Sequence, residues 1–378
     1  MLEVFSGILH LLKFRKARAD SVIFRLHYTF TVCLLVGASV LISSSQYVGK
    51  PIHCAYNKNL FPEAYVESFC WVNSTYYHPH DVQPDPLQAA PHVRPGADNV
   101  VHVKYYQWVA MVLLFQAILF YIPRWLWKGF EGGLLERLLI TSDARNERSS
   151  VTRISSYLCQ NSSKNDWYMY RYFACELVAL LNILAQLFLL DWFFGGLFMD
   201  YGVRVLEFLE SEGNHVPNPM WRVFPRVTKC TLQAFAFNGN LDVIEALCVL
   251  PLNVVNEKIF LVQWFWFLLL GGMTLILVFY RLMIFLSPRL HQSMFRNQLK
   301  FVDKKLLDRI FLKTSRGDWF LLYTMSYYMD FGKLADVLYD MDRRMRIGEE
   351  AAVHHFINHP TPIPSEYRSP TPDPNNKA

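Results

Sequence analysis

Apolar positions along the chain gather into four long runs, at about residues 27–45, 105–127, 172–194 and 259–280. Runs of this length are too long for strands and read as helices that cross a membrane. The second, YYQWVAMVLLFQAILFYIPRWLW, has 23 residues and a single charge, Arg124. As a helix rising 1.5 Å per residue it would reach roughly 34 Å, enough to span a bilayer. Its ends carry Tyr105, Tyr106 and Trp108, then Tyr121, Trp125 and Trp127, amphipathic rings suited to the two membrane interfaces. Pro123 lies near one end, where a kink sacrifices few backbone bonds. The first run is the least apolar and rich in Ser and Thr, the makeup of a span that faces water. In the third, Asn182 and Gln186 are four apart and share a face, which predicts that they point inward and bond to another helix, in a run that also holds Glu176 and Asp191. The fourth contains Trp264, Trp266 and the pair Gly271-Gly272, where another helix has room to approach.

Outside these runs the pattern changes. Residues 2–14 alternate at helical spacing, with Glu3, Ser6, His10 and Lys13 on one face and Val4, Phe5, Ile8, Leu9 and Leu12 on the other. The basic residues Lys13, Arg15, Lys16 and Arg18 follow the apolar part, the reverse of a signal peptide, so an uncleaved amphipathic helix is expected. Such a helix either rests on the membrane surface or lines a pore with Glu3, Ser6 and His10 toward water. The tail from Pro360 to Pro374 repeats proline among polar residues and is too poor in apolar residues to pack; Ser369-Pro370 and Thr371-Pro372 within it have the form of kinase targets.

Composition fits a polytopic membrane protein: 52% of the 378 residues are hydrophobic and the net charge is only +5. The distribution of charge orients it. Lys and Arg are roughly twice as dense in 1–27, 124–171 and 281–378 as in 46–104 and 195–258, which predicts both termini in the cytoplasm. The expected order is then an amphipathic segment and basic linker (1–26), a first span (27–45), an extracellular loop (46–104), a second span (105–127), a cytoplasmic loop (128–171), a third span (172–194), a second extracellular loop (195–258), a fourth span (259–280) and a cytoplasmic region (281–378). The fold class is an all-α membrane protein of four transmembrane helices, with two disulfide-stapled extracellular loops and a helical cytoplasmic region that includes Lys304–Lys313.

Seven cysteines are present. Cys33 and Cys175 fall in spans and Cys159 in the cytoplasmic loop; the other four lie two per extracellular loop, Cys54 with Cys70 and Cys230 with Cys248. An even set on the oxidising side reads as a disulfide framework, and neither pair has the close spacing of a zinc knuckle. Four cysteines allow three pairings. Asn73-Ser74-Thr75 is a glycosylation sequon on the lumenal side, whereas Asn161-Ser162-Ser163 falls in the cytosol. The histidines His78, His80, His354, His355 and His359 form no strong metal pattern, and no phosphate loop or nucleophile elbow occurs, so neither an enzyme nor a cofactor is expected.

Several motifs occur in an order that resembles the innexins, the invertebrate gap-junction proteins. Tyr105-Tyr106-Gln107-Trp108-Val109 opens the second span as in that family. The segment from Asp20 to Tyr28, Gln46-Tyr47-Val48-Gly49, and the cysteines of both loops are similar too. So are Phe224-Pro225-Arg226-Val227-Thr228-Lys229-Cys230, Leu247 to Asn253, Val255-Asn256-Glu257-Lys258-Ile259 and Gly317-Asp318-Trp319-Phe320-Leu321. Two stretches depart: Thr231–Asn240 lacks the family's basic, glycine-rich turn, and Tyr76–His102 is rich in proline and histidine. Both lie in the loops with which the family docks.

The resemblance implies a ring of eight innexin-like subunits, homomeric or heteromeric, in the plasma membrane. Two rings docked between neighbouring cells would pass ions and small solutes, and an undocked ring would be a hemichannel. It further implies the nested pairing Cys54–Cys248 and Cys70–Cys230, which fixes one loop to the other. A non-conducting tetraspan adhesion or scaffold protein is the competing class, but it has no need of the amphipathic N-terminus. Membrane lipid is an expected partner and nucleic acid is not.

Overall fold

The computed structural model describes residues 20–56, 61–77, 100–140, 147–161, 164–211, 218–235, 241–287 and 302–358, with a few positions between 290 and 299. They fall into two compact units. The first comprises residues 20–132 and 171–286, the second the described residues of 133–170 and 287–358.

Among the described residues, four helices are long and apolar enough to cross a membrane. Helix α1 runs Val22–Val48, capped by the Ser21 hydroxyl, which accepts from the Phe24 N–H. Its segment Leu26–Thr31 is wound as a π-helix. The chain then forms β1 (His53–Ala55), α2 (Glu63–Asn73), β2 (Thr75–Tyr77) and β3 (Val101–Val103) before α3, Val109–Glu131. After α4 (Leu134–Ile140) and α5 (Glu147–Gln160) comes α6, Asn165–Phe193. Then follow α7 (Tyr201–Glu210), α8 (Pro219–Val223), β4 (Val227–Phe235), β5 (Leu241–Val249) and α9, Pro251–Leu286. The described C-terminal part contributes α10 (Lys304–Lys313), α11 (Arg316–Ser326) and α12 (Phe331–Asn358).

The four spans pack on a core that includes Leu35 and Ile42 of α1, Leu113 and Phe120 of α3, Ile183 and Leu190 of α6, and Phe260 and Phe267 of α9. Several polar groups inside it are paired across helices, which offsets the cost of removing them from water. Gln263 donates to the Gln116 side-chain oxygen at 2.9 Å, Trp266 to the Thr31 hydroxyl at 2.9 Å, and Ser39 to the Ala110 carbonyl at 2.8 Å. His27 lies 2.7 Å from the Thr274 hydroxyl. Two ion pairs hold the helix ends remote from the strands. Arg124 binds both carboxylate oxygens of Asp20, at 2.9 and 2.7 Å, and Arg281 lies 3.5 Å from Glu176, which also accepts from Ser21.

Three expectations from the sequence change here. Asn182 and Gln186 bond to each other, at 3.4 Å along one helix, and not to a neighbouring helix. Their i,i+4 spacing makes the partner on the same helix the nearest one. A Cβ on Gly271 would meet Ile183 at an ordinary 3.9 Å and one on Gly272 nothing within 4 Å, so the glycine pair is no tight crossing within the subunit. The close approach lies elsewhere: a Cβ on Gly202 would stand 2.1 Å from the Trp264 ring, which lets α7 lie directly on α9. The third change concerns the aromatic residues flanking α3. Trp108 (60% exposed), Tyr121 (47%) and Trp125 (66%) face outward as interface rings would, but Tyr106 and Trp127 are buried and Tyr105 is half-buried in ring contacts.

In the second unit, α12 packs on α5 and α10. Helix α11 begins with a capping box: the Ser315 N–H donates to Asp318 and the Asp318 N–H to the Ser315 hydroxyl. The fully buried Asp318 also accepts from Asn165 at 2.6 Å, while the Gly317 N–H donates to Asp166 at 2.6 Å. A Cβ on Gly317 would sit 2.1 Å from the Asn165 backbone, so only glycine fits at this contact. Gly317-Asp318-Trp319-Phe320-Leu321 is therefore a packing motif that ties α11 to the start of α6.

Candidate functional site

The two loops on the β-strand side of the spans fold together as one cap. Five antiparallel strands form a sheet in the order β1-β5-β4-β2-β3, so strands from one loop flank the hairpin of the other. This sheet was not legible in the sequence, where the loops showed no long period-two run. In β5 the alternation nevertheless governs burial: Ala246 and Cys248 face in while Val243, Leu247 and Val249 face out. Cys54, the buried residue of β1, lies opposite Cys248 in register, and the two are disulfide-bonded with Cα atoms 4.0 Å apart. Cys70 on α2 is bonded to Cys230 on β4. The cap thus has a covalent link from each strand of the hairpin to the first loop. Sulfurs of Cys54, Cys70 and Cys248 lie within 4.8 Å of one another, but as disulfides they offer no thiolate to a metal.

Tyr105-Tyr106-Gln107-Trp108 does a different job from opening a membrane helix. Tyr105–Gln107 is a separate 3-10 turn and the regular helix starts at Val109. The last carbonyls of α2 have no partner within that helix. Gln107 supplies donors to those of Trp71 and Val72, and the Tyr106 hydroxyl reaches those of Cys70 and Trp71 at 3.5 and 3.4 Å. The Tyr106 ring stacks obliquely on Trp71, with centroids 4.6 Å apart. Tyr105 packs on Phe193, Phe194 and Phe224 beneath the sheet. The motif is a clamp that holds α2, and with it Cys70, against the second span. Hydropathy could not separate this role from interfacial anchoring, because both use aromatic residues at a helix end.

Two more motifs meet under the cap. Arg226, next to β4, binds Glu257 of α9 at 2.7 Å, and Asn253 donates to the Pro225 carbonyl at 2.7 Å. The Tyr201 hydroxyl donates to the Glu257 carbonyl at 3.1 Å. Burial, reinforced by the Glu257 charge, pushes that hydroxyl well above its ordinary pKa, so it stays a neutral donor.

Asn73 is the exposed last residue of α2, with the Thr75 side chain of its sequon fully buried in the sheet. Ser74 between them has φ 126° and ψ 156°, a conformation that only glycine adopts without strain. Ser74→Gly preserves the sequon and is expected to stabilise the cap by about 1–3 kcal/mol. The check is the thermal midpoint of the purified protein; a lower midpoint would show that the serine is not strained.

Glu3, Ser6 and His10 lie outside the described residues, as do His78, His80, His359 and the proline-rich tail; the side chains of His354 and His355 are likewise not described. Of Thr231–Asn240, the first five residues complete β4 and the rest lie outside the description; Thr231 donates to the Tyr76 hydroxyl at 2.9 Å.

This architecture agrees with comparisons to known proteins. The innexin family profile matches residues 20–345. The chain belongs to the innexin family. This innexin is 39% identical to "Innexin shaking-B" of Drosophila melanogaster over 357 residues, covering 91% of this chain and 95% of that protein. It is 37% identical to "Innexin inx2" of the same species, covering 94% and 98%. It is 38% identical to "Innexin inx2" of Schistocerca americana, covering 87% and 94%. Innexins are gap-junction channel subunits of the membrane, and this innexin is a subunit of such a channel.

Proposed function

We propose that the innexin assembles as a ring of eight subunits around a water-filled path, with residues 2–14 and α1 facing that path. One observation carries this reading. Helix α1 buries Leu35, Ser39 and Ile42 against the other spans but leaves one face open, with Cys33, Gly37, Val40, Ser44 and Tyr47 exposed at helical spacing. A single subunit surrounds no polar path with these four helices, so a pore needs several copies. The free face of α1 mixes small, polar and apolar groups, as a surface shared between water and a neighbouring subunit would. Selectivity then follows pore width and rings of charge, not a fitted site.

The cap is assigned to the extracellular side and both termini to the cytoplasm. The basic enrichment of 1–27, 124–171 and 281–378 supports this, and so do disulfides confined to one end. Docked cap to cap, two rings would join neighbouring cells. Junctional conductance between paired cells, recorded beside single-cell hemichannel current, tests the reading. Single-cell current without coupling would leave only the undocked channel, and neither current would favour a scaffold.

Deleting residues 2–14 is expected to change unitary conductance or gating with surface delivery largely kept. Unchanged currents would remove the segment from the pore.

Exposure of Asn73 favours the hemichannel as a second reading, since a bulky hydrated glycan there opposes close docking. Because Thr75 is buried in the closed cap, the sugar must be attached before the cap folds. If the glycan blocks docking, Asn73→Gln should lose a glycosidase-sensitive mass shift and gain coupling. Loss of the shift with coupling unchanged would place the sugar on the outer flank of the ring.

A further inference from the structure

Between the cap and the ends of α3 and α6 lies a cavity of about 410 Å³ that the channel reading does not use. Its floor is aromatic, formed by Tyr105, Phe193 and Phe194. Trp108 and Trp192 form its lip, 60% and 82% exposed. Its upper wall is cationic: Lys104 and Arg222, with His102 beside them, and among the described residues no carboxylate lines it. Neither Lys104 nor Arg222 has an ion-pair partner among the described residues, whereas Arg226, beside the sheet, is paired with Glu257. Both residues are exposed, so water screens their repulsion, and together they offer an accessible positive field to an anion at the cleft.

The depth of the cavity indicates where that anion comes from. Trp108 and Trp192 stand where the two spans leave the apolar layer, the level of lipid head groups. Below the lip, an exposed apolar stripe continues down each helix: Met111, Phe115 and Ile118 on α3, Phe188, Leu184 and Leu181 on α6. At about 30 Å³ per water, the cavity has room for a phosphate group with part of its hydration. We propose that this cleft is a binding site for an anionic phospholipid, with the phosphate between Lys104 and Arg222 and the acyl chains along the stripes on α3 and α6. Arg222 suits the planar, two-pronged recognition of phosphate, and Lys104 adds a point charge. The site is independent of whether two rings dock.

The test uses the full-length channel purified from membranes and exchanged into nanodiscs of phosphatidylcholine with or without phosphatidylglycerol. Lipid retained after dilution is measured by mass spectrometry for the wild type, for Lys104→Gln with Arg222→Gln, and for Trp192→Ala. The double variant is expected to hold phosphatidylglycerol roughly tenfold more weakly, with phosphatidylcholine unaffected. Trp192→Ala should also weaken retention, which attraction to a bare charged surface would not require. Equal retention in all three proteins overturns the proposal. So does displacement of the lipid by millimolar inorganic phosphate, which would make the site one for a soluble anion. A change in ring size of the double variant on native gels, with retention intact, would make the cleft a contact between subunits and also overturns it.

Discussion

Removing both Cys70 and Cys230 as serines is expected to cost the cap about 3–4 kcal/mol, and removing Cys54 and Cys248 a similar amount. The two bridges have sequence separations of 160 and 194 residues, but because they are nested each closes a loop of only roughly 35 residues while the other stands. The nested arrangement joins each strand of the β4–β5 hairpin to the first loop, adding covalent links to the strand pairing that already connects the two loops. Single Cys70→Ser should be worse than the pair, because Cys230 is then free to mispair. Surface delivery and the thermal midpoint of the solubilised channel are the readouts. An unchanged midpoint in the double variant would show that strand pairing alone holds the loops together.

Arg124→Met is expected to cost about 3–5 kcal/mol, comparable to a bridge. The Asp20 side chain is fully buried, and Arg124 supplies its counter-charge through two hydrogen bonds while the Tyr28 hydroxyl supplies a third at 2.6 Å. Removing the arginine leaves a buried carboxylate with a hydroxyl as its remaining partner among these. Asp20→Asn combined with Arg124→Met should recover part of the loss, because the amide needs no counter-charge. The pair of single variants and the double variant form a cycle whose coupling measures the bond. A midpoint for Arg124→Met near that of the wild type would mean that water reaches Asp20. The consequence for function runs through α1: Asp20 lies two residues before that helix, and the contact fixes how the proposed pore-facing span enters the bundle.

The sequence by itself determined the four spans, the helix Lys304–Lys313 and the family. Each of these is local: a run of apolar residues, a repeat at 3.6 residues, or an ordered set of short motifs. The amides Asn182 and Gln186 were correctly placed on one face for the same reason, but the choice between a bond along the helix and one across it depends on what packs beside them. Only the tertiary structure decided that Tyr106 and Gln107 cap α2, that Arg226 meets Glu257, and that the loops close into a five-stranded sheet. These partners are 31 to 36 residues apart in the case of the clamp and the ion pair, and about 190 residues apart in the pairing of β1 with β5. An aromatic residue at the end of an apolar helix gains free energy equally from a lipid interface or from a protein core, since either removes its ring from water. Which of the two it finds is set by the neighbours that the folded chain brings to it, and those neighbours are what tell Tyr106 and Trp127 from Trp108 and Trp125.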